Sequence, residues 1–211
     1  MKDVLIIGAM GYGREIFDFI QSLNSGRHEY NVKGFLDDRS HALDGFTGFP
    51  RILTSVENYE PDKNDYFVCA VGDVRARLKY INLIEDKNGK FLSLIHPGSM
   101  VSDKAELGKG VIISGFCSIS NNVRIGDYSI VHPFCNIGHD ASVGSNTSIG
   151  SHCFMGGWST VGSMTMVHPH STILPHADVG NNATVGAGSV VLRKVKDGTS
   201  VFGVPSRKID F

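Results

Sequence analysis

The chain has no pair of cysteines two residues apart, so it offers none of the knuckles that hold structural zinc. It has no block of like charges and no low-complexity tract. With 20 Lys and Arg against 21 Asp and Glu the formal charge is −1, which gives no electrostatic reason for a nucleic acid or other polyanion as partner. Long hydrophobic runs are missing from its start as well. Met1-Lys2-Asp3 leads into only four apolar residues, 4–7, too few for a signal peptide or a membrane span. The expectation from these absences is a soluble, cytoplasmic protein with no nucleic acid, no membrane and no metal as partner.

Glycine is what the chain has in plenty. Of 25 glycines in 211 residues, 19 lie before Arg14 or after Lys90. The later region is a repeat. An apolar residue falls at Val101, Leu107, Ile113 and every sixth position to Val191, sixteen hexads without insertion or deletion. Four residues after each stands a small or slim side chain, from Ala105 to Val195, and glycine directly follows the apolar residue in nine hexads. A strict six-residue period marks a parallel β-helix. Each hexad is then a short strand and a bend, three hexads make a turn, and turns lie about 4.8 Å apart. Residues 18 apart become stacked neighbours. Cys117, Cys135 and Cys153 fall into one inward column, continued by Ser171 and Ser189, and read as small buried residues kept reduced. The frame is expected to end after Lys196.

Ahead of the repeat the pattern differs. Residues 4–7 end in Gly8-Ala9-Met10-Gly11-Tyr12-Gly13. Apolar residues at 16, 17, 19, 20 and 23 suit one face of a helix, which Asn24-Ser25-Gly26 stops. Strands are expected at 30–36, 66–71 and 91–95, and a second helix at 74–86. Such alternation implies a parallel sheet with helices on its faces. The expected fold is an α/β, Rossmann-like N-terminal domain, residues 1–95, followed by a parallel β-helix, residues 96–211. His96-Pro97-Gly98 would be the turn into the repeat.

Two candidate sites follow. Gly8-x-x-Gly11-x-Gly13 joins a strand to a helix, where backbone amides without side chains in the way favour a phosphate. Its spacing is not the dinucleotide fingerprint, so a tight strand–helix turn is an equal reading of the motif alone. Asp37 and Asp38 end the next strand, where acids commonly bind a ribose or a base. Such a pocket suits NAD or a nucleotide attached to a sugar, and the lack of a second mononucleotide half favours the latter. The other site is His139, at a bend, with Gly157 in the same hexad position one turn up. A base beside a residue with no side chain leaves room for a substrate, and the Gly157 amide is a candidate donor to an acyl oxygen. Asp140 is a candidate to orient the imidazole. For His139 alone, an ordinary polar bend residue is the competing reading. His152 and His170 stack one turn apart, but two nitrogen ligands make a poor metal site.

Six segments occur in family order: Gly8-Ala9-Met10-Gly11-Tyr12-Gly13-Arg14, Phe35-Leu36-Asp37-Asp38, Ala70-Val71-Gly72 with Arg77, Ile95-His96-Pro97, Gly138-His139-Asp140 and Phe202-Gly203-Val204-Pro205-Ser206-Arg207. Together they resemble the hexapeptide-repeat acyltransferases. Within these, the chain is similar to the sugar acetyltransferases that include sialic acid O-acetyltransferases and N-acetyltransferases of nucleotide-linked 4-amino-4,6-dideoxy sugars. The resemblance covers nearly the whole chain. It implies a left-handed β-helix, a homotrimer with active sites between neighbouring β-helices, and acetyl-CoA along the β-helix groove with its carbonyl near Gly157. It implies His139 as catalytic base with Asp140 beside it, a nucleotide-sugar at Gly8, Gly11, Gly13, Asp37 and Asp38, and no metal. Many members have His in place of Tyr12 and of Ser148, and some have Asn in place of His132. The expected reaction is acetyl transfer to a sugar amine. O-acetylation of sialic acid or another sugar hydroxyl is the alternative, and a non-catalytic nucleotide-binding scaffold would have no need of His139.

Overall fold

The computed structural model describes residues 1–24 and 28–209; the expected helix stop at Ser25-Gly26 lies outside them. The chain divides into two compact units, Met1–Leu92 and Ser93–Phe211. Among the described residues no helix is long and apolar enough to cross a membrane.

In the first unit β1 (Lys2–Ile7), α1 (Gly11–Leu23), β2 (Tyr30–Leu36), β3 (Ile52–Thr54), β4 (Asp65–Cys69), α2 (Val74–Glu85) and β5 (Lys90–Phe91) follow in order. The five strands are parallel and lie side by side as β3-β2-β1-β4-β5. The apolar run that opens the chain is the central strand. Val4, Leu5, Ile6 and Ile7 are fully buried, as a parallel strand covered on both faces requires. α1 buries Ile16 and Ile20, four apart on one face, and α2 buries Ile81 and Ile84. The α2 N-terminus is fixed by Asp73, whose carboxylate accepts from the Arg75 and Ala76 amides. β3 was not foreseen, because three residues carry no readable period. The strand expected at 91–95 is two elements: Lys90–Phe91 closes this sheet, and Leu94–Ile95 pairs with Ile112–Ile113 in the second unit.

The second unit is a three-sided coil of short strands in sheets of six, six and eight. Pairing steps forward 18 residues, as in Ser118 with Asn136 and Asn136 with Phe154. The apolar residue of each hexad points inward: Ile113, Ile137, Ile149 and Ile173 are fully buried. Each such side chain contributes roughly 1.5–3 kcal/mol relative to exposure. The slim residue four later is buried too, and its polar atom bonds a carbonyl of the next rung. Cys117 donates to His132, Cys135 to Gly150 and Thr147 to Gly162. The thiol column is therefore wall and ladder at once.

From Phe116 to Asn182 every sixth residue has a φ between 52° and 63°. These left-handed residues make the corners. Asn, Asp and His enter that region more readily than other side chains and hold seven of the twelve positions. His152, His170 and His176 are accounted for in this way.

The frame of six does not run to Lys196. Asp178 pairs with Lys194 and Thr184 with Ser200, 16 residues ahead rather than 18. The rung after Val191 is two residues short. Val195 thereby moves from the slim position into a strand, and the coil continues to Ser200–Phe202. The strand Arg207–Lys208 then turns back antiparallel on this last rung. At the other end, His96-Pro97-Gly98 is a bend inside the coil, not the turn leading into it.

Candidate functional site

In the first unit, β1 passes into α1 through a loop that only glycine can form. Gly8 has a φ of 95°, and a Cβ on Gly13 would run into the Gly8 carbonyl. Those two glycines let helix and strand approach. Gly11 is different: a Cβ there would meet nothing within 4 Å. It begins α1, whose N-cap residue Met10 provides no side-chain cap and whose first turn has no acid. The helix itself thus supplies neither a side-chain cap nor an acid at the positive end of its dipole.

Asp37 braces this loop. It is only 7% exposed, and its Oδ2 accepts from the Ala9 amide at 2.8 Å. Arg39 grips the same carboxylate through Nε and Nη2, both at 3.0 Å. Burial pushes this carboxyl up, and the Arg39 and Ala9 bonds outweigh it and hold the group below the usual carboxylate range. Asp38 accepts from the Tyr80 hydroxyl at 2.7 Å. Both acids border a cavity of about 220 Å³ that Ser40, Thr54, Ser55 and Asn58 also line. The sequence reading found the two acids and missed the others; Thr54 ends the unforeseen β3, and Ser55 and Asn58 follow it.

In the second unit, His139 stands on the corner that follows Asn136–Ile137. Its Nδ1 lies 2.8 Å from Asp140 Oδ2. The other carboxylate oxygen, Oδ1, accepts from Asn122 Nδ2 at 3.0 Å, one rung below. Asn122 first and His139 second hold the Asp140 carboxyl below its ordinary range. With Nδ1 committed, Nε2 is the edge left for a substrate. That edge lies on Gly157, where a Cβ would come within 2.8 Å of both Cε1 and Nε2. Trp158 meets the imidazole edge to face at 4.4 Å and stacks on His176 at 5.2 Å.

The Gly157 amide has no acceptor of its own among the described residues. At a neighbouring corner the equivalent amides are capped from the rung above: Lys109 by Asp127, Ser145 by Ser163, Ser163 by Asn181 and Asn181 by Asp197. Above Gly157 the equivalent residue is Pro175, which has no acceptor side chain. The arrangement joins an oriented base to an uncapped donor, which is what acyl transfer requires.

Higher on the coil a recess of about 500 Å³ is lined by Arg193, Lys194, Lys196 and Lys208 among others. His152 and His170 stack face to face at 4.8 Å, a π contact rather than two lone pairs converging on an ion. Among the described residues no group of three or more His, Cys, Asp or Glu is arranged to hold a metal. Asn122 and Trp158 were missed from sequence, although each lies 18 residues from Asp140 and the column rule points to both.

Two family models match the chain: the PglD N-terminal domain over residues 3–84, and the bacterial transferase hexapeptide repeat over residues 122–157 and 159–193. A UDP-N-acetylbacillosamine N-acetyltransferase of Bacillus subtilis (strain 168) is 31% identical over 117 residues, 54% of this chain and 51% of that protein. The chain thus aligns with about half the length of the curated relatives it matches. In fold it is similar to PerB from Caulobacter crescentus, solved with CoA and GDP-perosamine. The TM-score is 0.89 at 24% identity, over 100% of this chain and 98% of that one. The acetyltransferase domain of PglB from Neisseria gonorrhoeae FA1090, solved with acetyl coenzyme A, gives 0.90 at 24% identity, over 99% of each chain.

Proposed function

We propose that this protein belongs with the hexapeptide-repeat sugar acetyltransferases and moves acetyl from acetyl-CoA to the amine of a nucleotide-linked 4-amino-4,6-dideoxy sugar, a reading supported by the matches to a PglD N-terminal domain and to hexapeptide repeats. The observation that carries the reading is the His139 imidazole, held by Asp140 and laid against an uncapped Gly157 amide. The sugar nitrogen attacks the thioester carbonyl, and a C–N bond forms as the C–S bond breaks. His139 Nε2 takes the proton from the nitrogen and returns it to the leaving thiolate. Asp140 favours the imidazolium that forms in between, and the Gly157 amide donates to the oxyanion.

The remaining assignments follow the same division. Residues 1–95 bind the nucleotide-sugar and residues 96–211 bind acetyl-CoA and perform the transfer. The strand order 3-2-1-4-5 supports a Rossmann-like character for the first unit. The amides at Gly11 suit the diphosphate, Gly8 and Gly13 shape the loop, and Asp37 and Asp38 border the base or ribose. The basic recess at Arg193, Lys194 and Lys196 suits the phosphates of CoA. A left-handed coil, a homotrimer and a cytoplasmic location complete the proposal. The exposed, stacked rings of Phe116 and Phe134 are apolar surface that trimer packing would cover.

The test offers the purified protein acetyl-CoA with UDP-, GDP- or dTDP-linked 4-amino sugars, and separately with sialic acid. Free CoA is expected with an amino sugar. Release only with sialic acid would make it an O-acetyltransferase, and none with any acceptor would leave a binding scaffold. Asn122 gives a finer test. Asn122→Ala is expected to lower kcat roughly 2- to 10-fold, the worth of one exposed hydrogen bond, with both KM values unchanged. Asn122→Asp puts a second negative charge beside Asp140. With the Asn122 donor gone Asp140 protonates at higher pH, so the rise of kcat/KM is expected to move to higher pH. A profile that superimposes on wild type would remove Asn122 from the mechanism.

A further inference from the structure

The corner column that carries His139 has a direction. Asp103, Asn121, His139, Gly157, Pro175 and Arg193 each stand second after a strand, 18 residues apart, so they stack at about 4.8 Å per rung. Above Gly157 the column rises to Arg193 and the basic recess. Below His139 lies an open groove of about 830 Å³. Its lining carries no Lys or Arg: Ser102, Ser118, Ser120, Asn121 and the Asp103 carboxylate alternate with the apolar Met100, Val101 and Ile119, and His139 stands at its upper end.

We propose that this groove is the acceptor subsite. It holds the pyranose ring of the amino sugar, with the amine at His139 and the ring hydroxyls read by Asp103 and Asn121. The inference rests on the proposed acetyl transfer and adds to it the direction of entry and two specificity-determining residues. Two features of the groove support it. Charge excludes the phosphates of CoA from the acidic end and favours them at the basic one, so the two substrates meet at His139 from opposite sides. Chemistry suits a sugar. Asn121 Oδ1 already accepts from Ser102 Oγ at 2.6 Å, which orients the amide and leaves Nδ2 to donate to a ring oxygen. A carboxylate accepts from hydroxyls through either oxygen. Two rungs put Asp103 about 10 Å down the column from His139. Allowing about 3 Å for a hydrogen bond leaves room for one six-membered ring between them. At that distance the carboxylate also draws in a cationic amine without sitting close enough to hold its proton.

The test uses the full chain and two readouts. In steady-state assays with acetyl-CoA and a UDP- or GDP-linked 4-amino-4,6-dideoxy sugar, Asp103→Asn and Asn121→Ala should each raise the acceptor KM about tenfold. KM for acetyl-CoA should stay within about twofold. In calorimetric titration of the same amino sugar without acetyl-CoA, Asp103→Asn should weaken binding by a similar factor. A rise in the acetyl-CoA KM instead, or unchanged acceptor affinity in both variants, would overturn the subsite. A wild type that binds the amino sugar but releases no CoA would refute the transfer reaction, and the titration would still decide the subsite.

Discussion

Replacing His139 with alanine is expected to lower kcat by about 10²–10⁴-fold, the usual contribution of a positioned general base. The calorimetric Kd for acetyl-CoA should hardly move. The reason is geometric. The His139 side chain is half exposed and committed to Asp140 at its Nδ1 edge, 2.8 Å away, and it supports no part of the core. The folded coil should therefore survive its removal intact. His139→Gln keeps a polar side chain of similar reach without the basicity and should be as slow as alanine. A kcat within twofold of wild type in either variant would end the assignment of His139 as base.

The second large effect is expected at Gly157. An alanine Cβ there would stand 2.8 Å from His139 Cε1 and Nε2, nearer than real Cβ atoms come to their neighbours. The ring must shift from its place against Gly157, and the base is then displaced from the donor amide it is proposed to work with. Gly157→Ala should cost about 10²–10³-fold in kcat, comparable to removing an oxyanion donor. The backbone at Gly157 is not in the left-handed region, so alanine is conformationally permitted. Thermal unfolding should accordingly shift by no more than a few degrees. Loss of activity together with a collapsed Tm would show a folding defect instead, and wild-type activity would show that the imidazole needs no such neighbour.

Most of the second unit was legible because its period is strict. Six residues per side and 18 per turn convert sequence distance into contact, and that rule alone sets Cys117 beside Cys135 and Gly157 beside His139. The same regularity hid the one irregularity. With two residues lost after Val191, Val195 still reads as a slim residue in frame, although the pairing of Asp178 with Lys194 makes it a strand residue. The first unit was less legible because its elements are short. β3 has three residues, and only Leu92-Ser93, with no glycine or proline, separates Lys90–Phe91 from Leu94–Ile95 in a different sheet. The bracing by Asp37 could not be read from sequence. An acid at a strand end looks the same whether or not it also holds the amide of Ala9 and the guanidinium of Arg39. Asn122 had a signal, its 18-residue distance to Asp140, but a side chain that only steadies another has no chemistry of its own to draw notice.

The short antiparallel strand at Arg207–Lys208 has a consequence for how the molecule behaves in a crowded solution. A coil of parallel rungs ends in bare N–H and C=O groups, a template on which a second coil could add end to end and begin a fibre. The returning strand occupies one side of that triangular end and presents arginine and lysine outward, both exposed. Charge and a reversed strand direction together deny the next coil its register.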